Sequence, residues 1–161
     1  MIRQLQRSEL KVVQDLAYEI WPLVYSEMIS REQMKYMLDW MYHLDVLTAK
    51  IDNGDLFFSY SLENNDIGYL HLELVDEKTI KVQKIYVHPD FHGRGIGREL
   101  IQTAIDMATA QGRSSLELQV NRANPAVRFY KQLGFSITGE KDFDIGNGYF
   151  MNDYVMRFII R

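Results

Sequence analysis

The sequence predicts an α+β fold built on one mixed sheet, and three observations carry that expectation. Up to Asp52 the apolar residues recur with a helical period, and after Gly54 they alternate with a period of two through three successive runs. The connections between those runs are too short to hold a helix, so the runs read as antiparallel neighbours. A glycine-rich corner, His92–Gly97 ("HGRGIG"), then opens a tail that reads helix, strand, helix, strand, strand. Helices and strands that cluster in this way, rather than alternating throughout, belong to an α+β class with helices on the faces of the sheet.

Each element has its own local cause. "IRQL" is a short first strand. Leu10, Val13, Leu16, Ala17 and Ile20 then line one face of a helix after Ser8, which Pro22 is expected to bend or end because it lacks an N–H. A second helix lies in "SREQMKYMLDWMY": Ser30 and Gln33 have capping-box spacing, and Met34, Met37, Leu38 and Met41 share a face. Asp52-Asn53-Gly54 is a turn. The strands "LFFSYSL", "IGYLHLELV" and "TIKVQKIYV" follow, joined through Asn64-Asn65-Asp66 and Asp76-Glu77. Behind the glycine corner Ile96, Leu100, Ile101, Ala104, Ile105 and Ala108 mark a helix that ends near Gly112. "SLELQV" is the next strand. Asn124-Pro125 opens a short helix through Val127, Phe129, Tyr130 and Leu133, with Gly134 as its stop. "FSITGEKDF" and "YVMRFII", separated by "IGNG", complete a mostly antiparallel sheet of about seven strands.

Composition narrows the class of function. The chain has 161 residues, without repeat, low-complexity tract or Pro/Gly/Ser linker, and reads as one domain over 1–161. No apolar run approaches the roughly 20 residues of a membrane span, and "MIRQLQRSEL" lacks the hydrophobic region of a secretory signal, so the expected address is cytoplasmic. Cysteine is absent, which removes disulfides, thiolate metal ligands and a cysteine nucleophile. His43, His71, His88 and His92 have no metal-ligand spacing, so no metal is expected. The net charge of −4 is unlike that of most nucleic-acid binders. The positive charge is nonetheless segregated. Lys78, Lys81, Lys84, Arg94 and Arg98 surround the glycine corner against Asp90 alone, and Arg113, Arg122, Arg128 and Lys131 stand in one later segment against Glu117. Residues 46–77 hold seven acids and only Lys50. An anionic ligand at the corner fits that distribution; scattered, solvated cations fit it too.

A helix start presents unpaired amides and a partial positive charge, and glycine leaves them open to an approaching anion. "GRGIG" therefore reads either as a phosphate cradle or as a tight strand-to-helix turn. It is not a P-loop, since Arg98-Glu99 follows Gly97 where Lys-Ser/Thr is needed. It is not the dinucleotide fingerprint either, because the third glycine would fall at Leu100 or Arg98.

The pattern His92-x-x-Gly95-x-Gly97 after "IYVHP" resembles motif A of the GNAT superfamily of N-acetyltransferases, in which glutamine or arginine is commoner at the position of His92. "NPAVRFYKQLGF", Asn124–Phe135, looks like that superfamily's motif B, one helix and one strand further on. The clear likeness covers roughly residues 66–135, and the order of elements extends it over the chain. The resemblance implies acetyl-coenzyme A as co-substrate. Its diphosphate would rest on the amides of Gly93, Arg94, Gly95, Ile96 and Gly97, with His92 beside them. Its pantetheine arm would pair with the main chain of Tyr86 and Val87 like an added strand. Asn124 would touch the pantetheine region, and Lys131 or Arg128 the nucleotide phosphates. The tyrosine of motif B, Tyr130, is the expected acid for the departing thiolate; packing beside Phe129 is its alternative role.

The implied reaction is direct attack by an amine within a ternary complex, because neither a cysteine nor a Gly-x-Ser-x-Gly elbow offers an acyl-enzyme. The base stays open. Gln83 stands where many relatives have glutamate, and Glu73 or His71, on one strand face with Tyr69, serves through water or belongs to a solvent-facing polar row. In such enzymes the acceptor lies by the N-terminal helices and the last hairpin. Those segments carry Tyr25, Tyr36, Trp40, Phe143 and Tyr149 with Glu27, Asp39, Asp142, Asp144 and Asp153, a set that suits a cationic amine. "WPLVYSEMISREQMKYML" also resembles the matching stretch of bacterial polyamine acetyltransferases. A small amine or polyamine is the favoured acceptor, with a peptide or protein amine as the other option, and pairing of two copies is common in the superfamily. Neither nucleic acid nor membrane is an expected partner. The reading from a different class is a coenzyme A-binding regulatory or interaction module with weak catalysis, to which Gln83 and His92 point.

Overall fold

The computed structural model describes residues 1–161. Its elements are β1 (Ile2–Gln4), α1 (Lys11–Tyr25), α2 (Arg31–Tyr42), α3 (Leu44–Asp52), β2 (Leu56–Leu62), β3 (Asn65–Leu74), β4 (Thr79–Val87), α4 (Ile96–Ala110), β5 (Ser115–Asn121), α5 (Ala126–Leu133), β6 (Ser136–Gly146) and β7 (Tyr149–Ile159). The seven strands run in the order β1-β2-β3-β4-β5-β7-β6. The pairs β1–β2, β2–β3, β5–β7 and β6–β7 are antiparallel and β4–β5 is parallel, which is the mixed, mostly antiparallel sheet that the sequence predicts. The chain forms two compact units: Met1–Glu73 with Lys84–Gln102, and Leu74–Gln83 with Thr103–Arg161.

In the first unit β2 and β3 pair with Phe57 opposite His71, Phe58 opposite Leu70 and Ser59 opposite Tyr69. Successive strand residues point to opposite faces, yet Phe57, Phe58, Tyr69 and Leu70 are all buried, so both faces are covered. Trp21 of α1 and Tyr42 of α2 bond to the Tyr69 hydroxyl on one face. On the other, the Tyr60 hydroxyl donates to Glu99 of α4 (2.7 Å). Helices thus flank the sheet on both sides. The solvent-facing reading of the Tyr69–His71 row is corrected by this packing: Tyr69 is 0% and His71 6% exposed, because α1 and α2 lie over that face. Gly68 is needed where it stands, since a Cβ there would come within 2.9 Å of the Tyr86 carbonyl oxygen.

Two points about the helices go beyond the expectations. Of the bend or end expected at Pro22, the end does not occur there: Pro22 lies inside α1, which continues to Tyr25. A mid-helix proline costs about 3 kcal/mol; the buried Trp21 and the hydroxyl–hydroxyl bond between Tyr25 and Tyr86 hold this end of the helix against the sheet. The segment before the Asp52–Gly54 turn is a third N-terminal helix, α3, whose start is capped by His43 Nδ1 accepting from the Asp45 N–H (3.2 Å). The predicted cap of α2 is present: Ser30 Oγ accepts from the Gln33 N–H at 3.0 Å.

In the second unit the first half of β4 pairs with β5 from Thr79–Ser115 to Val82–Leu118. Ser115 Oγ joins this layer to β7, lying 3.2 Å from Thr79 Oγ1 and accepting from Arg157 Nη1 at 3.0 Å. Helix α5 stops at Gly134 as predicted, with φ of +108° and its N–H on the Lys131 carbonyl. Strands β6 and β7 form a long hairpin, and Arg122 ties its outer strand to β5 through Glu140 (3.1 Å) and Asp142.

Candidate functional site

The corner between β4 and α4 is built from short-range bonds. The His88 N–H reaches the Ile67 carbonyl (2.8 Å), and a 3₁₀ turn over Pro89–Phe91 follows, with His88 Nδ1 accepting from the Asp90 N–H at 3.1 Å. His92 then folds back on the strand, its Nε2 lying 2.8 Å from the Val87 carbonyl oxygen. A carbonyl only accepts, so Nε2 is the donor of this bond. Gly93 and Gly95 have φ of +80° and +79°, and a Cβ built on either meets no atom within 4 Å. The corner therefore demands glycine for its backbone, while its outer side is open. The first intrahelical bond of α4 runs from the Glu99 N–H to the Gly95 carbonyl (3.0 Å). The amides of Ile96, Gly97 and Arg98 precede it, and they are the orphan donors of a helix start. Arg94 rests its guanidinium over the Phe91 ring, 5.2 Å from the centroid. Tyr86, Val87 and His92–Gly97, all expected to contact a ligand, thus form one continuous strand-turn-helix run in the first unit.

The other expected residues lie in the second unit. Asn124 Oδ1 accepts from the Ala126 N–H (2.9 Å), which starts α5 and leaves the Asn124 amide to act as a donor. Tyr130 is buried, with Phe129 and Phe135 edge-on at 5.3 and 5.7 Å. Lys131 and Arg128 are exposed on the same helix.

Two arrangements in the first unit escape sequence reasoning. Tyr25 and Tyr86 share a hydroxyl–hydroxyl bond of 2.7 Å across 61 residues of chain. His71 Nε2 lies 2.7 Å from Asp55 Oδ2, both side chains are buried, and the Phe57 ring stacks on the imidazole at 4.1 Å. Neither pair has a local signal, since partners are brought together by strand register and helix packing. Burial pushes the His71 imidazole below its ordinary value of 6.5; the bond to Asp55 opposes this, and Lys84 and Lys50 add to the lowering. In the unfolded chain His71 takes up its proton first as the pH falls. Stability is therefore full above about 6.5 and is lost as the pH drops toward the lower folded value, with a slope of at most about 1.4 kcal/mol per pH unit for one proton. Thermal midpoints between pH 7.5 and 5.5 (roughly one unit either side of the His value) are expected to fall. His71→Gln, which keeps an N–H for Asp55, is expected to flatten that fall. An equal slope in the variant removes His71 as its cause.

Comparison with known proteins gives a consistent result. A family model described as "Acetyltransferase (GNAT) family" matches residues 14–135. An uncharacterized N-acetyltransferase of Mycobacterium bovis is 35% identical over 91 residues, covering 56% of this chain and 58% of that protein. The chain spans about half the length of the curated relatives it matches in this group. A spermidine N(1)-acetyltransferase of Thermoplasma acidophilum is 25% identical over 142 residues, 84% of this chain and 88% of the relative. Among solved structures, a PaiA N-acetyltransferase from Thermoplasma acidophilum in complex with coenzyme A superposes with a TM-score of 0.84 at 22% identity, covering 99% of this chain and 98% of that one. At that identity the likeness is one of fold.

Proposed function

The chain belongs to the acetyltransferase (GNAT) family, and from that premise we propose that it transfers an acetyl group from acetyl-coenzyme A to a primary amine, as a single domain over 1–161. The observation that carries this reading is the bare corner at Gly93–Gly97, where positive-φ glycines leave helix-start amides open on one side. A diphosphate suits such a donor set, and neither Gly93 nor Gly95 puts a side chain in its way.

The residues would divide the work as follows. The amides of Gly93 to Gly97 hold the diphosphate, with Arg94 drawn aside onto Phe91. His92 fixes the Val87 carbonyl through Nε2 beside the diphosphate. The main chain of Tyr86 and Val87 pairs with the pantetheine arm. The Asn124 amide donates to that arm, and Lys131 meets the nucleotide phosphates. When bound, acetyl-coenzyme A supplies a thioester carbonyl as the electrophile. An ammonium with pKa near 10.4 must lose its proton before it reacts, at a cost of roughly 4–5 kcal/mol at neutral pH. An amide of β4 stabilises charge on the acyl oxygen, and the Tyr130 hydroxyl donates a proton to the departing sulfur.

The favoured acceptor is a small amine or a polyamine. Its support is the aromatic and acidic content of the N-terminal helices and last hairpin, together with the likeness to a spermidine N(1)-acetyltransferase. Peptide and protein amines are the other acceptor class. Reaction in the cytoplasm, and pairing of two copies, accompany this reading; no helix is long and apolar enough to cross a membrane. The second reading, a coenzyme A-binding module, rests on Gln83 in place of a glutamate base.

Incubation with acetyl-coenzyme A and a panel of amines, followed by mass spectrometry, separates the two. N-acetylated product with equimolar free thiol, and intersecting double-reciprocal plots, are the expected results. Binding of coenzyme A without transfer to any amine supports the module, and parallel plots exclude a ternary complex.

A further inference from the structure

We propose that the Tyr25–Tyr86 pair is a subsite for a second, non-reacting ammonium, so that the preferred acceptor carries two positive charges. This rests on the acetyl-transfer reading above. Tyr25 ends α1 and Tyr86 is the penultimate residue of β4, and their hydroxyls are 2.7 Å apart. Trp21 forms the floor: its ring lies 5.0 Å from that of Tyr25 and 5.6 Å from that of Tyr86. The floor is itself anchored, since Trp21 Nε1 donates to the Tyr69 hydroxyl (3.2 Å), which pairs with the Tyr42 hydroxyl at 2.7 Å. Trp21, Tyr42 and Tyr69 are buried, whereas Tyr25 and Tyr86 are half-buried and form the outer edge of this cluster. The result is a rigid wall of electron-rich rings and phenolic oxygens whose accessible members are these two.

The chemistry of the wall suits a cation, because ring faces and phenolic oxygens present negative partial charge. Lys84, two residues before Tyr86 on β4, is the nearest cation in the sequence, so the subsite is carried by the rings and not by a local excess of acids. The chain's own cation–π contacts lie elsewhere, on Phe91 and Phe143. Position points the same way. Tyr86 directly precedes Val87, whose carbonyl His92 holds at the head of the glycine corner. An aromatic wall stabilises the charged form of an amine. The reacting nitrogen has to be neutral, so such a wall would oppose its deprotonation. It suits a nitrogen that stays charged, the far end of a diamine or polyamine.

The experiment compares putrescine with butylamine, its equal-length monoamine, as acceptors for the full chain and for Tyr25→Leu and Tyr25→Phe. Cation–π contacts of ordinary strength predict a KM for putrescine about 5- to 30-fold lower than for butylamine. Tyr25→Leu is expected to raise the putrescine KM about 10-fold more than the butylamine KM, with the KM for acetyl-coenzyme A unchanged. Tyr25→Phe, which keeps the ring and the helix end, is expected to retain more than half of the preference (a mild change that also covers a failure of Tyr25→Leu to fold). Equal KM values for the two amines in the unaltered chain, or equal rises in a variant, overturn the subsite and leave acetyl transfer standing. Absence of transfer to every amine by the unaltered chain overturns both.

Discussion

Replacing Tyr130 with phenylalanine is expected to lower turnover by about 10²- to 10⁴-fold, the range for loss of a general acid, while the affinity for coenzyme A changes by less than about 2-fold. The variant removes the hydroxyl and keeps the ring. The ring keeps its edge-on contacts with Phe129 and Phe135, so α5 stays packed. A phenolic hydroxyl is a proton donor, and the departing thiolate accepts a proton. Removing the donor therefore acts on the step in which sulfur departs and not on binding. Steady-state kcat and a calorimetric Kd for coenzyme A, measured on the same preparation, separate the two. Unchanged turnover assigns Tyr130 to packing alone.

The second large effect is expected at the glycine corner. Gly95→Val should weaken coenzyme A binding by about 10²- to 10⁴-fold, the equivalent of losing two charge-assisted amide bonds at roughly 1.5–3 kcal/mol each. Two causes act together. The φ of +79° at Gly95 is one that a β-branched residue avoids, so the amides turn away. The new side chain also projects into the open space over the helix start, where no atom lies within 4 Å. Because that space is open, the protein core is not disturbed. Gly112→Val supplies the control: its φ is +68°, its surroundings are equally open, and it ends α4 rather than starting it. The control is expected to lose stability comparable to Gly95→Val and to bind coenzyme A as before. Calorimetry that finds both variants binding normally removes the corner from the site.

What was legible before any coordinates rests on residues whose partners are near in sequence. The Ser30–Gln33 cap, the Gly134 stop and the glycines at 93 and 95 each answer to dihedral angles or hydrogen bonds within four residues. Strand alternation in β2 to β4 has the same local origin. The run from Tyr86 to Gly97 is therefore readable as a string, and so is Asn124–Phe135. Helix α3 has a weaker local signal, the His43 cap and the spacing of Leu44, Leu47 and Ile51, because it is only nine residues long and runs directly into the Asp52–Gly54 turn.

Other features have no local cause. Pro22 argues for a bend or an end of the helix, and α1 nevertheless runs on to Tyr25, whose hydroxyl is bonded to that of Tyr86. The row of Tyr69 and His71 alternates as an exposed strand face would, and it is buried because α1 and α2 lie on it. His92 occupies a position that the sequence assigns to a ligand, and the fold turns its Nε2 onto Val87. The composition, the order of elements apart from α3, and the backbone of the corner were thus determined by the sequence alone, since short-range sterics and hydrogen bonding decide them. Which faces are covered, how Tyr25 meets Tyr86 and where Asp55 meets His71 were decided by the tertiary structure, since strand register and helix packing bring together groups that the chain keeps far apart.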